Sequence, residues 1–252
     1  MLKKMDDENR KLASEVVEQS RCAPSVIAGI PAYNEEKNIA QVVLKAGCHV
    51  GKVLVCDDGS KDTTRVLAKQ NGAHVLEHEK NMGYGATMQT LLRKGRELGA
   101  DVLVCFDGDG QHDPDEIPEI IKPILEGRAD IVIGSRFING AKMDVPLYRR
   151  LGILLITLLT RIACGYKITD AQNGFRAFSG RALQDLKITD NGWGSSIEVF
   201  FKARNVGLRV IEVPVDCSYE DYPKASKRDP LKQGILIVAS IMSHAIHEGI
   251  HL

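Results

Sequence analysis

The 252-residue chain has one tryptophan, 5% aromatic residues and no net charge, with 33 Lys plus Arg against 33 Asp plus Glu. Balanced charge leaves no bulk field to attract nucleic acid, so any anion site must be local. The six cysteines, at 22, 48, 56, 105, 164 and 217, include no Cys-x-x-Cys pair. Cys56 and Cys105 fall inside expected buried strands, and the set reads as reduced core thiols of an intracellular protein. Residues 1–19 are charged and helix-like without an apolar h-region, so no signal peptide is expected. Repeats and low-complexity segments are also lacking. The longest apolar stretch within Leu151 to Cys164 is about ten residues, half of the roughly 20 that a spanning helix needs.

What is present is enough apolar sequence, 44%, to bury one large core. Short apolar runs alternate with helical patterns. Strands are expected at 25–30, 52–56, 74–77, 101–106 and 130–133, with helices at 35–46, 62–70, 86–98 and 115–126. Such alternation specifies a three-layer α/β/α sandwich on a mainly parallel sheet.

The most informative stretch is Val104-Cys105-Phe106-Asp107-Gly108-Asp109-Gly110-Gln111-His112. A buried strand stops at two carboxylates spaced i, i+2, just past its carboxyl end, where open α/β sheets bind ligands. Two such side chains on a tight turn repel each other, and a hard divalent ion completed by phosphate oxygens relieves that repulsion. Two more strand ends carry polar clusters, Pro31-Ala32-Tyr33-Asn34-Glu35-Glu36 and Asp57-Asp58-Gly59-Ser60. Each alone reads as a turn into a capped helix. In a parallel sheet all three meet on one rim.

Together these motifs resemble the family 2 glycosyltransferases, whose fold is called GT-A. The finer likeness is to dolichyl-phosphate mannose synthases and other polyprenyl-phosphate glycosyltransferases. It is carried by Gly-Asp-Gly-Gln-His-Asp-Pro at 108–114, Gly-Ser-Arg at 134–136, Pro-Leu-Tyr-Arg-Arg at 146–150, Asn-Gly-Phe-Arg-Ala-Phe at 173–178, Ile-Glu-Val at 197–199 and Ser-Lys at 226–227. The resemblance spans about Pro24 to Lys227. It implies an inverting hexosyltransferase using Mg²⁺ or Mn²⁺ and a GDP- or UDP-linked sugar. It further implies that Pro31, Tyr33 and Glu35 hold base and ribose, with Asp57 or Asp58 accepting from the base. Asp109 and Gln111 are the implied metal ligands. Asp107 is turned toward the nucleotide and is counted with them, and Gly108 completes the donor side. Arg136 and Arg149 are the implied clamps on an acceptor phosphate, joined by Lys224 and Lys227. Relatives carry an Arg a few residues before the Ser-Lys, where this chain has Asp221-Tyr222-Pro223-Lys224.

The acceptor follows from chemistry. A sugar hydroxyl must lose a proton to attack, so its transferase needs a general base. A phosphate monoester, with a second pKa of about 6, is already an anionic nucleophile. Arg149, Arg150, Lys224, Lys227 and Arg228 suit it, although a solvated charged face remains the plainer reading. The Gln-x-x-Arg-Trp signature of processive synthases is not matched by Gln172 to Arg176. Leu151 to Cys164 and the tail from Leu231 are expected as amphipathic helices on a membrane surface, with a buried core helix as the competing reading for the first. The expected divisions are an N-terminal helical extension at 1–23, the transferase domain at 24–228 and a C-terminal amphipathic helix at 229–252. The enzyme is then peripheral, on the cytoplasmic face of a membrane.

Other classes remain: a family member using a hydroxyl acceptor, a nucleotidyltransferase, or a non-catalytic nucleotide-binding module. A nucleotidyltransferase would carry a basic Gly-rich loop after the first strand, where this chain is acidic. Metal-dependent hydrolysis of a nucleotide sugar separates an enzyme from a binding module. His247-Glu248-Gly249-Ile250-His251 matches a zinc-protease pattern but has no later third ligand. Gly83-Tyr84-Gly85-Ala86 half-matches a dinucleotide fingerprint, and residues 81–86 are expected instead to line the nucleotide pocket.

Overall fold

A computed structural model describes residues 23–138, 147–217 and 230–247. Seven strands form one sheet: β1 Val26–Ala32, β2 Lys52–Asp57, β3 His74–Glu77, β4 Val102–Cys105, β5 Ile131–Ser135, β6 Arg176–Ser179 and β7 Val210–Pro214, in the order β3-β2-β1-β4-β6-β5-β7. The helices are α1 Ile39–Gly47, α2 Thr64–Gln70, α3 Tyr84–Glu97, α4 Ile117–Leu125, α5 Leu147–Cys164, α6 Gly180–Asp185, α7 Ser195–Asn205 and α8 Pro230–His247. A 3₁₀ turn, Pro114–Glu116, leads into α4.

Strand alternation divides the apolar residues between two layers. Ala28, Ile30, Val55, Val102 and Val104 pack under α1, α2 and α4 through Ile39, Val43, Ala68, Ile117 and Ile120. Ile27, Leu54, Leu103 and Ile133 face the other way, toward Leu91 of α3, Ile197 and Phe200 of α7, and Ile237 and Ile241 of α8. Each such Ile, Leu or Phe contributes about 1.5 to 3 kcal/mol on burial. The C-terminal helix is therefore part of the core as well as an apolar tail.

β1 pairs in parallel with both β2 and β4, so the three marked strand ends lie side by side. The helix expected from residue 35 starts at Ile39, and Glu35 to Asn38 form the turn before it. β6, which the alternation of elements does not predict, runs antiparallel between β4 and β5. Its reversal brings its first residue, Arg176, to the rim where its parallel neighbours end. The N-terminal stretch 1–19, the cationic residues Lys224, Lys227 and Arg228, and residues 248–252 of the zinc-like motif lie outside the described residues.

Candidate active site

The loops after β1 and β2 are stitched to each other. The Asn34 amide donates to Ser60 Oγ at 2.9 Å, the Glu35 amide to Thr64 Oγ1 at 2.7 Å, and the Lys61 amide to Asn34 Oδ1 at 2.9 Å. Asn34 tolerates the left-handed backbone required there, with φ 55°. Tyr33 and Ser60 consequently line a cleft of about 630 Å³ shared with Arg65, His78 and Asn81. Pro31 stays in the buried strand, its carbonyl accepting from the Gly108 amide at 3.3 Å.

The two aspartates of Asp57-Asp58 have separate jobs. Asp58 is consumed by the fold: its Oδ1 accepts from the Met82 amide at 2.8 Å and meets His78 Nδ1 at 2.8 Å, and its Oδ2 accepts from the Gly83 amide at 2.9 Å. Asp57 is fully buried, and neither carboxylate oxygen receives a hydrogen bond among the described residues. Arg65 Nε, at 3.5 Å, is its ion-pair partner. Of the two candidates for base recognition, Asp57 has the open valence.

Asp107 and Asp109 follow β4 as expected. Burial, then the charges of Asp109 and Glu35, push the Asp107 carboxyl up to about 7, against the pull of Arg176 and Arg136. Asp109 is also shifted up, by burial first, although its Oδ1 accepts from the Gln111 amide at 3.0 Å. Among the described residues no three His, Cys, Asp or Glu side chains cluster as a self-sufficient metal cage. Two carboxylates held against their own repulsion fit a hard cation that takes its remaining oxygens from a ligand. The sign of the pH dependence follows. A carboxyl raised from about 3.9 unfolded to near 7 folded makes the empty protein lose stability as pH rises between those values. Binding of a cation requires the ionised form. The increase in Tm given by Mn²⁺ with a nucleoside diphosphate should thus be small at pH 5.5 and reach its plateau above pH 8; equal increases at both pH values would contradict the assignment.

Arg176 supplies positive charge from beneath. Its guanidinium is buried and donates to the carbonyls of Asn173, Ser196 and Ala171, each at 2.8 Å, beside the Phe200 ring. Gly174 brings this loop against Asp107, where a Cβ would sit 3.0 Å from Oδ2. Neither residue stands out in sequence except as part of the Asn-Gly-Phe-Arg motif. Arg136 is likewise buried, but its fork is engaged by Asp170: Nε to Oδ2 at 2.6 Å and Nη2 to Oδ1 at 2.8 Å. Glu212 holds the Asp170 and Thr169 amides in turn. The expected phosphate clamp thus stands in a buried carboxylate pair. Arg149 lies in α5, and its side chain is outside what is described.

The Gly83-Tyr84-Gly85 segment serves a different purpose from the one expected. Asn81 does line the cleft, but the glycines approach protein backbone: a Cβ on Gly85 would collide with the Asp190 carbonyl, and the Ala86 amide donates to Asn191 O at 3.3 Å. Tyr84 stacks on Trp193 with ring centroids 5.1 Å apart. Buried Glu198 anchors the facing loop by accepting from the Thr189 and Asp190 amides and from Thr189 Oγ1 at 2.7 Å.

Comparison with known proteins agrees with this geometry. The model of the family described as "Glycosyl transferase family 2" matches residues 27–187. A UDP-N-acetylglucosamine–dolichyl-phosphate N-acetylglucosaminyltransferase of Methanococcus voltae is 36% identical over 217 residues, covering 78% of this chain and 86% of that one. A polyprenol monophosphomannose synthase of Mycolicibacterium smegmatis is 34% identical over 199 residues, 74% of each chain. Among solved structures, glucosyl-3-phosphoglycerate synthase from Mycobacterium tuberculosis, in complex with Mn²⁺, UDP and glucosyl-3-phosphoglycerate, superposes with a TM-score of 0.70 at 21% identity, covering 93% of this chain and 84% of that one. That likeness shows the GT-A fold. By the family match over most of its length and by these relatives, the chain belongs to glycosyl transferase family 2 and is a glycosyltransferase.

Proposed function

We propose that the protein is an inverting, divalent-metal-dependent transferase that moves one sugar from a nucleoside-diphosphate donor to the phosphate of a polyprenyl or dolichyl lipid. The observation that carries this reading is the half-buried Asp107 and Asp109 pair at the end of β4, whose carboxyls are both pushed up. Asp109 and Gln111 would hold the Mg²⁺ or Mn²⁺, and Asp107 would face the nucleotide. When bound, the cation neutralises the charge that develops on the departing nucleoside diphosphate. Asp57 takes the base, and Tyr33 and Glu35 flank the ribose. A lipid phosphate oxygen attacks the anomeric carbon as the bond to the diphosphate breaks, inverting that centre in one displacement. No proton need leave the nucleophile, so cations matter more than a base. Arg136, Arg149, Lys224 and Lys227 are the assigned cations, with the Asp170 pair holding the Arg136 guanidinium in place. Calorimetry tests the donor half: UDP or GDP should bind in the presence of Mn²⁺ and lose most affinity in EDTA, and metal-independent binding would refute it.

Location follows from the acceptor, because an isoprenoid chain stays in the bilayer. Among the described residues no helix is long and apolar enough to cross a membrane. α5 packs on α8 but leaves Leu147, Leu151, Leu155, Leu158 and Ile162 exposed at helical spacing, and α8 adds Ile235, Leu236 and Ile246. Exposed apolar stripes of this kind suit an interface, and exposed Arg150 and Arg161 would add about 1 kcal/mol each near anionic lipid. Leu155→Asp with Leu158→Asp should leave Tm near wild type and abolish sedimentation with anionic liposomes. Activity on a long-chain acceptor should fall more than on a short soluble one. Unchanged sedimentation would remove the membrane assignment.

A further inference from the structure

The segment after β3 closes on itself through one carboxylate. The His78 amide donates to Asp57 O at 2.9 Å, continuing the β2–β3 ladder by one residue, and the His78 side chain is 11% exposed. Its ring meets three groups: Asp58 Oδ1 lies 2.8 Å from Nδ1, while Thr90 Oγ1 of α3 and Cys56 Sγ of β2 lie 3.0 Å and 3.6 Å from Nε2. Cys, His and Asp in contact in that order resemble a nucleophilic triad. Cys56, however, is fully buried, and its thiol is pushed up to about 12, by burial first and then by Asp58 and Asp57, so it offers no thiolate. The contact with Asp58 has a different consequence. A carboxylate accepts, so the ring carries a proton on Nδ1. The same carboxylate takes the Met82 and Gly83 amides at 2.8 and 2.9 Å, so both ends of residues 78–83 are tied to it. Between those ends Lys80 passes over Gly59, where a Cβ would lie 2.7 Å from Lys80 Cα, and Lys80 and Asn81 line the cleft with Tyr33.

We propose that His78 is a positioning residue of the donor cleft: its Nδ1–H fixes the Asp58 carboxylate that closes residues 78–83 into a loop, so that the wall formed by Lys80 and Asn81 stands ordered before the nucleotide arrives. A wall already in place spares the nucleotide the entropic cost of ordering it, and the gain appears in affinity rather than in the chemical step. This inference rests on the transferase reading above for the identity of the ligand, and on the geometry alone for the loop.

The two ring nitrogens can be replaced separately. His78→Asn offers an amide N–H near the position of Nδ1 and loses the Thr90 contact, whereas His78→Gln reaches toward the position of Nε2 and loses the Asp58 contact. His78→Gln should weaken UDP or GDP binding with Mn²⁺ tenfold or more and raise the donor KM to match, with kcat and the acceptor KM within about threefold of wild type. His78→Asn should recover all but about threefold of that loss. Equal losses in the two variants, or a fall in kcat without one in affinity, would overturn the proposal. His78 also lines the cleft, and Asp58→Asn separates positioning from direct contact because it leaves the ring in place. It should lose tenfold or more in affinity, and the double variant with His78→Gln should be no worse than Asp58→Asn alone, since both act through one contact. Additive losses would overturn the proposal, and unchanged affinity in Asp58→Asn would do so even if His78→Gln did not fold. Amide hydrogen exchange at Met82 and Gly83, measured without ligand, should accelerate at least tenfold in His78→Gln and stay near wild type in His78→Asn. If wild type bound no metal and nucleotide, the transferase reading would fail, and the exchange result would still decide whether His78 holds the loop; unchanged exchange in His78→Gln refutes it.

Discussion

Replacing Asp109 by Asn should lower kcat/KM by on the order of 10³-fold while leaving the metal-free protein as stable as wild type or slightly more so. A neutral amide is a far poorer ligand for a hard cation. Losing the stabilisation of a departing diphosphate costs several kcal/mol, and each 1.36 kcal/mol is about tenfold in rate. The fold asks little of the side chain: among the described residues its Oδ1 accepts from the Gln111 amide, a bond that Asn also offers. Neutralising it removes the repulsion that helps hold Asp107 up near 7. Steady-state kinetics and thermal denaturation in EDTA test both halves. Full activity would refute the metal assignment, and a large drop in Tm would mean that Asp109 supports the fold instead.

Glu198→Ala should be the most destabilising single change outside the apolar core. Its carboxylate is fully buried and accepts from the Thr189 amide at 2.9 Å, Thr189 Oγ1 at 2.7 Å and the Asp190 amide at 2.8 Å. Removing it strands three donors, at a cost of about 3 to 5 kcal/mol. The loop it anchors carries Trp193 and abuts Gly83 and Gly85, so activity should fall with stability. Urea denaturation is the check: the midpoint should shift with little change in slope. Glu198→Gln, which keeps an acceptor oxygen, should recover part of the loss. A change below about 1 kcal/mol in Glu198→Ala would show that water replaces the carboxylate.

The parallel half of the sheet is legible in sequence because its strands are short apolar runs separated by amphipathic helices. His74 to Glu77 forms a strand with the bounds that the pattern indicates. That the β1, β2 and β4 ends share one rim follows from that alternation, whereas their side-by-side order is seen only in the sheet, and the polar clusters there announce the site. The other half is less legible. β6 is only four residues, opens with an Arg and runs against its neighbours, so neither alternation nor hydrophobicity marks it. Arg176 has three carbonyl partners and no acid at a sequence spacing that would reveal it. The pairing of Arg136 with Asp170 is likewise a tertiary fact between residues 34 apart. Asp57 and Asp58 are equivalent as letters, and only the His78, Met82 and Gly83 contacts separate them. The glycines at 83 and 85 do signal a close backbone approach, but sequence cannot say that the approaching group is a loop over 100 residues away.

The central claim, sugar transfer to a lipid phosphate, is tested most directly by incubating the full chain with Mn²⁺, a panel of UDP- and GDP-linked sugars and a short-chain polyprenyl phosphate, with a free polyprenol and a simple sugar as competing acceptors. The product should be a single glycosyl phosphate lipid, of inverted anomeric configuration by NMR, formed with stoichiometric release of nucleoside diphosphate. Transfer to a hydroxyl acceptor with the lipid phosphate ignored, or retention of configuration, would contradict the account.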